Sequence, residues 1–136
     1  MPIKTMENAF CLKGKNAVVT GGNKGLGKAI AQAFAQQGAN VAILARSRGA
    51  ADEAVKELEQ YGGTYFYVPC DVGDRLSCKA ASEECIRRFG KVDILVNNAG
   101  IGTVGPFLDM DEELTDWYKV INTDLNGCVH MTYEVA

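Results

Sequence analysis

Thr20-Gly21-Gly22-Asn23-Lys24-Gly25-Leu26-Gly27 decides the reading of this chain. It follows the apolar run Ala17-Val18-Val19 and opens a stretch with Leu26, Ile30, Ala33 and Phe34 on one helical face. The change of period predicts strand, turn, then helix. Such an arrangement binds phosphate: glycines turn tightly and let the backbone approach closely. The helix N-terminus adds free N–H groups and a partial positive charge for the anion. Glycines at a strand-to-helix turn also serve packing alone, so this motif needs support from the rest of the chain.

Outward from the glycine turn, short apolar runs alternate with helical stripes. Strands are expected at Asn16–Thr20, Asn40–Ala45, Thr64–Pro69 and Asp93–Val96, each nearly continuous in apolar residues, as in a parallel sheet covered on both faces. A helix is expected from about Ala50 to Tyr61, with Ala51, Ala54, Val55 and Leu58 aligned and Gly62-Gly63 ending it. Another is expected over Asp74–Phe89, with Cys78, Ala81, Cys85 and Phe89 facing inward and Gly90 just beyond. A loop, Asn97–Pro106, precedes helical segments near Asp111–Ile121 and Thr123–Ala136. The order βαβαβαβ with right-handed crossovers predicts an α/β fold: a doubly wound parallel sheet of about four strands, in the order 3-2-1-4.

With 136 residues, 47% hydrophobic and 23% charged, the chain reads as one globular domain over 1–136. A net charge of −3 gives no general attraction to nucleic acid or an anionic membrane. No apolar run reaches the length of a membrane span, and Met1–Leu12 lacks the apolar core of a signal peptide, so a cytoplasmic protein is expected. Cys11, Cys70, Cys78, Cys85 and Cys128 are scattered, and His130 is the sole histidine. No pair has zinc or redox spacing, so free thiols and no metal are expected.

Taken together, Thr20–Gly27 in the pattern T-G-x-x-x-G-x-G, Asp71 closing the third strand and Asn97-Asn98-Ala99-Gly100 after the fourth resemble the N-terminal half of a short-chain dehydrogenase/reductase. The resemblance covers about Phe10 to Ala136 and implies a Rossmann-type, NAD(P)-binding domain. It implies that Gly21, Gly22, Asn23, Lys24, Gly25, Leu26 and Gly27 hold the cofactor's ribose and pyrophosphate. Asp71 would then bond the adenine edge, with Val72 lining its pocket, and Asn98, Ala99 and Gly100 would lie against the nicotinamide-side ribose. An ordinary turn is the competing reading of Asn97–Gly100, since Asn and Gly both tolerate left-handed backbone.

The end of the second strand bears on which dinucleotide is held. A carboxylate there would bind the 2′-hydroxyl of NAD and repel a 2′-phosphate. This chain has Ala45-Arg46-Ser47 instead. Arg46 offers a planar, permanently charged donor fork, and Lys24 can reach the same group, so NADP(H) is expected over NAD(H). Solvated surface cations are the alternative for both residues.

Family catalysis rests on a serine and a Tyr-x-x-x-Lys pair after the fifth strand, the tyrosine passing a proton to the substrate oxygen as hydride moves. Here Tyr61, Tyr65, Tyr67 and Tyr118 lack a lysine four residues on, Tyr133 stands too near the last residue, and the serines are Ser47, Ser77 and Ser82. Asp124 occupies the family's asparagine position, where the main-chain carbonyl holds a water of the proton relay. The helix ending at Ala136 has no stop signal, so truncation before the catalytic segment is expected, leaving Leu125 and Val129 on an uncovered face. The resemblance thus implies the cofactor half of an oxidoreductase acting on a small carbonyl or secondary alcohol, such as a sugar acid, polyol or oxoacyl compound. At full length it would be a homo-oligomer without nucleic-acid or membrane partners, and Ile101–Leu108 would shape the substrate pocket. The alternative is a non-catalytic half domain that binds a nucleotide or a partner.

Overall fold

The computed structural model describes residues 9–102 and 105–136, so residues 1–8 and, within the expected substrate loop, Thr103 and Val104 lie outside the described residues. Strands β1 (Asn16–Thr20), β2 (Asn40–Ala45), β3 (Tyr65–Pro69) and β4 (Ile94–Val96) form one sheet. All pairings are parallel, and the order is β3-β2-β1-β4, as the alternation predicted. Val18 pairs with Ala42 on one side and Leu95 on the other, so β1 runs through the middle of the sheet.

Helices α1 (Gly25–Gln36), α2 (Arg48–Leu58) and α3 (Arg75–Phe89) follow the first three strands. The sheet's period of two divides the core. Val19, Val41, Ile43 and Ala45 pack with Ala31 and Ala35 of α1 and Ala51, Ala54 and Leu58 of α2. Val18, Ala42, Leu44, Phe66 and Val68 pack on the opposite face with Cys78, Ala81 and Cys85 of α3 and with Met131. Each fully buried Val, Leu or Ile contributes roughly 1.5–3 kcal/mol over exposure. All of β1 is buried, whereas Ile94, Leu95 and Val96 of the edge strand are only half-buried.

Element ends differ from the sequence reading for local reasons. Thr64 falls outside β3, and its N–H bonds the Asn40 side chain at 2.9 Å. Asp93 precedes β4, and its carboxylate accepts the Asn16 N–H at 2.9 Å. Helix α2 begins two residues early, at Arg48, and tightens into a 3₁₀ turn over Glu59–Tyr61 before Gly62 turns left-handed at φ 77°. Asp74 caps α3 by accepting from the N–H groups of Leu76 and Ser77.

Beyond β4 comes a 3₁₀ turn, Phe107–Asp109, then a longer helical run. The segment expected from Asp111 becomes helical only at Thr115, because Leu114 has φ 51° and the Asp111 carboxylate takes the Thr115 N–H. Where two helices were expected, α4 (Thr115–Val120), a wide π turn (Ile121–Asn126) and α5 (Gly127–Val135) form one continuous run. Among the described residues, no helix is long and apolar enough to cross a membrane.

Candidate cofactor site

The site is built where β1 ends. Gly21 and Gly25 hold φ of 64° and 56°, which glycine adopts without strain. Gly27 has no room for a side chain: a Cβ would run into the Gly21 carbonyl oxygen and the Asn98 amide nitrogen. Lys24 leads into helix α1; its backbone is extended and its side chain makes no cap. No acidic residue occupies the first turn, so the N–H groups there are free for an anion.

Thr20 ties this loop to the one after β4. Its buried Oγ1 donates to the Val96 carbonyl at 3.2 Å and accepts the N–H groups of Asn98 and Ala99, each at 3.0 Å. The Asn98 amide returns to the carbonyls of Thr20 and Gly21 at 3.1 and 3.3 Å. Asn98-Ala99-Gly100 is therefore held against the glycine turn by a closed network, with both the donor and the acceptor capacity of the Thr20 hydroxyl used.

At the end of β3, Asp71 forms a turn: its Oδ1 accepts the Gly73 N–H, its carbonyl accepts the Asp74 N–H and its own N–H bonds Ser77 Oγ. At the end of β2, the Tyr67 hydroxyl donates to the Ala45 carbonyl at 3.1 Å, and the chain then exposes Arg46 and Ser47. Among the described residues, neither Arg46 nor Lys24 makes an ion pair.

These strand ends enclose a cavity of about 390 Å³, large enough for part of a dinucleotide. Gly21, Asn23 and Lys24 line it from the glycine turn, and Arg46 and Ser47 from β2. Asp71 and Val72 line it beyond β3, and Asn98, Ala99 and Gly100 beyond β4. It lies at the carboxyl ends of the strands, where the order reverses between β1 and β4. The other expected residues sit off its wall. Gly22 packs on Ile43, Gly25 and Gly27 shape the turn, and Leu26 is 72% exposed.

Asp124 also lies off the wall. Its main-chain carbonyl, the group expected to matter, accepts the Cys128 thiol at 3.2 Å, while its carboxylate accepts the Ile101 N–H at 2.8 Å. Ile101 and Gly102, expected in the substrate loop, also line it, and Ala45, Cys70 and Thr123, which sequence reasoning did not assign to the site, complete the lining. Their signal was position alone, next to strand ends or on the following helix. Burial raises the thiol pKa of Cys70, and pushes those of Cys78 and Cys85 up to about 12, so these cysteines are protonated packing groups.

The donor set fits a dinucleotide. An uncapped helix start and a turn closed to a Cβ at Gly27 suit a pyrophosphate, Lys24 and Arg46 flank the mouth, and a carboxylate stands at the far end. Comparison with known proteins agrees. The short chain dehydrogenase family model matches residues 15–136. Sorbose reductase SOU1 of Candida albicans is 40% identical over 128 residues, covering 93% of this chain and 45% of that protein. Among solved structures, an NAD+-bound xylitol dehydrogenase superposes with TM-score 0.85 at 30% identity, covering 91% of this chain and 47% of that one. A blue fluorescent protein from a metagenomic library, in complex with NADPH, gives TM-score 0.84 at 34% identity, covering 91% and 51%. The chain thus spans about half the length of the proteins it matches. With fold, cavity and sequence in agreement along 15–136, the chain belongs to the short-chain dehydrogenase family.

Proposed function

We propose that this chain carries the cofactor-binding half of an NADP(H)-dependent oxidoreductase acting on a small carbonyl or secondary alcohol. The observation that carries the reading is the pair Lys24 and Arg46 on one cavity wall, with Ala45-Arg46-Ser47 where an NAD-selective carboxylate would stand. Arg46 and Lys24 would hold the 2′-phosphate, the free N–H groups of α1 the pyrophosphate, and Asp71 the adenine edge. Asn98-Ala99-Gly100 would support the nicotinamide-side ribose. When bound, the nicotinamide supplies or accepts the hydride. A sugar, polyol or oxoacyl substrate is supported by the names of a sorbose reductase, a mannitol dehydrogenase and an oxoacyl reductase among the relatives, which also include a 7alpha-hydroxysteroid dehydrogenase. The same reading places the protein in the cytoplasm, where its five free thiols stay reduced, and makes the full-length enzyme a homo-oligomer.

Calorimetric titration with NADPH and NADH tests the cofactor choice. Wild type should favour NADPH by about tenfold or more, and Arg46→Asp should reverse the order, since each ion pair to phosphate contributes about 1.5–3 kcal/mol. Equal affinities in wild type, or an unchanged ratio in the variant, would overturn the preference.

A further inference from the structure

The run α4–π turn–α5 reaches both ends of the cavity. Toward the nicotinamide-side loop, Asp124 takes the Ile101 N–H and Thr132 bonds the Asn97 amide at 3.1 Å. Toward the Asp71 turn, Asn122 Nδ2 donates to the Gly73 carbonyl at 2.8 Å. The other end of that amide accepts from Asn126 at 3.2 Å, which orients it. His130 Nδ1 lies 2.8 Å from the Val72 carbonyl. A carbonyl only accepts, so Nδ1 carries the proton.

Shape reinforces these bonds. A Cβ on Gly127 would stand 2.7 Å from Val72 Cγ2, and one on Gly73 would stand 2.9 Å from Asn122 Nδ2. Helix and turn therefore meet at two glycines. Consecutive carbonyls of the turn are each held by a side chain of one helical run, while Asp71 Oδ1 holds the Gly73 N–H from the other side. Helix α3 holds the same turn from below, with Ser77 Oγ accepting the Asp71 N–H and the Cys78 thiol reaching the Val72 carbonyl at 3.5 Å, so the bonds from Asn122 and His130 close it from the opposite side. The wide turn over Ile121–Asn126 contains Asn122, and π turns of this kind gather at functional sites.

We propose that Asn122 and His130 are positioning residues for the adenine end of the site, holding through Gly73 and Val72 the turn that presents Asp71. The inference rests on the dinucleotide reading above. Helix packing alone does not account for Asn122, which is exposed and buries little.

Amide hydrogen exchange of the nucleotide-free chain, with titration by 2′,5′-ADP and by nicotinamide mononucleotide, tests this. Asn122→Ala and His130→Phe should each speed exchange at Gly73 and Asp74 by about 5- to 10-fold, the scale of one net hydrogen bond. They should weaken 2′,5′-ADP by a similar factor and leave nicotinamide mononucleotide unchanged. His130→Asn, which restores a donor, should stay near wild type. Unchanged exchange and unchanged 2′,5′-ADP affinity in Asn122→Ala would overturn the proposal, and because Asn122 is exposed that variant decides even if His130→Phe misfolds. Failure of wild type to bind 2′,5′-ADP would overturn the dinucleotide reading instead, with exchange at Gly73 and Asp74 still deciding whether the clamp holds the turn.

Discussion

Thr20 concentrates the logic of the site in a single hydroxyl. It is 1% exposed, it donates once and accepts twice, and both accepted bonds come from the backbone of Asn98-Ala99. Thr20→Val keeps the shape but leaves those N–H groups without their partner, so it should destabilise the chain by about 2–3 kcal/mol, while Thr20→Ser should lose far less. Urea unfolding checks this, and equal midpoints for the valine variant and wild type would refute it. The glycine turn itself was legible in the sequence, because Gly21, Gly25 and Gly27 serve local geometry that a short motif records. Asn122 and His130 were not legible. Their partners lie 49 and 58 residues away in the chain, and an Asn or His on a helix carries no local mark of a distant carbonyl.

Among the elements, α3 shows how side chains fix a helix that lines one face of the sheet. Asp74 caps its start, and Glu84 accepts from Arg87 and Arg88 near its end, where basic residues also suit the helix dipole. Those guanidinium groups hold the Glu84 carboxyl below its ordinary 4.5, at about 2. A carboxylate that ionises more readily in the folded state adds stability above its unfolded pKa, and that contribution fades as pH falls from about 4.5 toward about 2. Asp93, bonded by the Asn16 N–H and Lys91, and Asp111, bonded by Thr115, are lowered in the same sense. Melting temperature should therefore drop across this acid range, and Glu84→Gln should flatten the drop. A variant profile parallel to wild type would remove Glu84 from the account. The acid-sensitive contacts sit at element ends, which is also where the sequence reading missed by a residue or more. Thr64 and Asp93 look like strand residues by their place beside the apolar runs, yet bonds to Asn40 and Asn16 place them outside the ladders. The π turn hid for another reason: its residues keep a helical look, and its wider backbone spacing leaves no mark in the residue pattern.

At the scale of the molecule, sheet order was legible because an alternation of short apolar runs and amphipathic stripes admits few parallel topologies. Catalysis is a different matter, since it needs a proton donor beside the substrate as well as a cofactor. The cavity wall offers Ser47, Cys70, Asp71 and Thr123, which sit at strand ends or against the Asp71 turn. The tyrosines are committed elsewhere. Tyr61 and Tyr67 bond Gln36 and the Ala45 carbonyl, Tyr65 bonds Gly63, Tyr133 sits under Arg75, and Tyr118 is on the exposed side of α4. None lies on the cavity wall, and Tyr61, Tyr65, Tyr67 and Tyr118 have no lysine one helical turn later to lower a phenol pKa. A general acid contributes typically about 10²- to 10⁴-fold, so its loss takes turnover far below that of a complete enzyme even with the nicotinamide correctly held. The purified 136-residue chain should therefore bind NADPH in calorimetry yet leave its absorbance at the nicotinamide band unchanged when a ketose or an oxoacyl ester is added. Oxidation of NADPH above a heat-denatured control would show that these residues contain a proton donor after all. The absence of binding would instead mean that the cavity requires further polypeptide to close around the dinucleotide, because the uncapped start of α1, Lys24 and Arg46 already face the cavity.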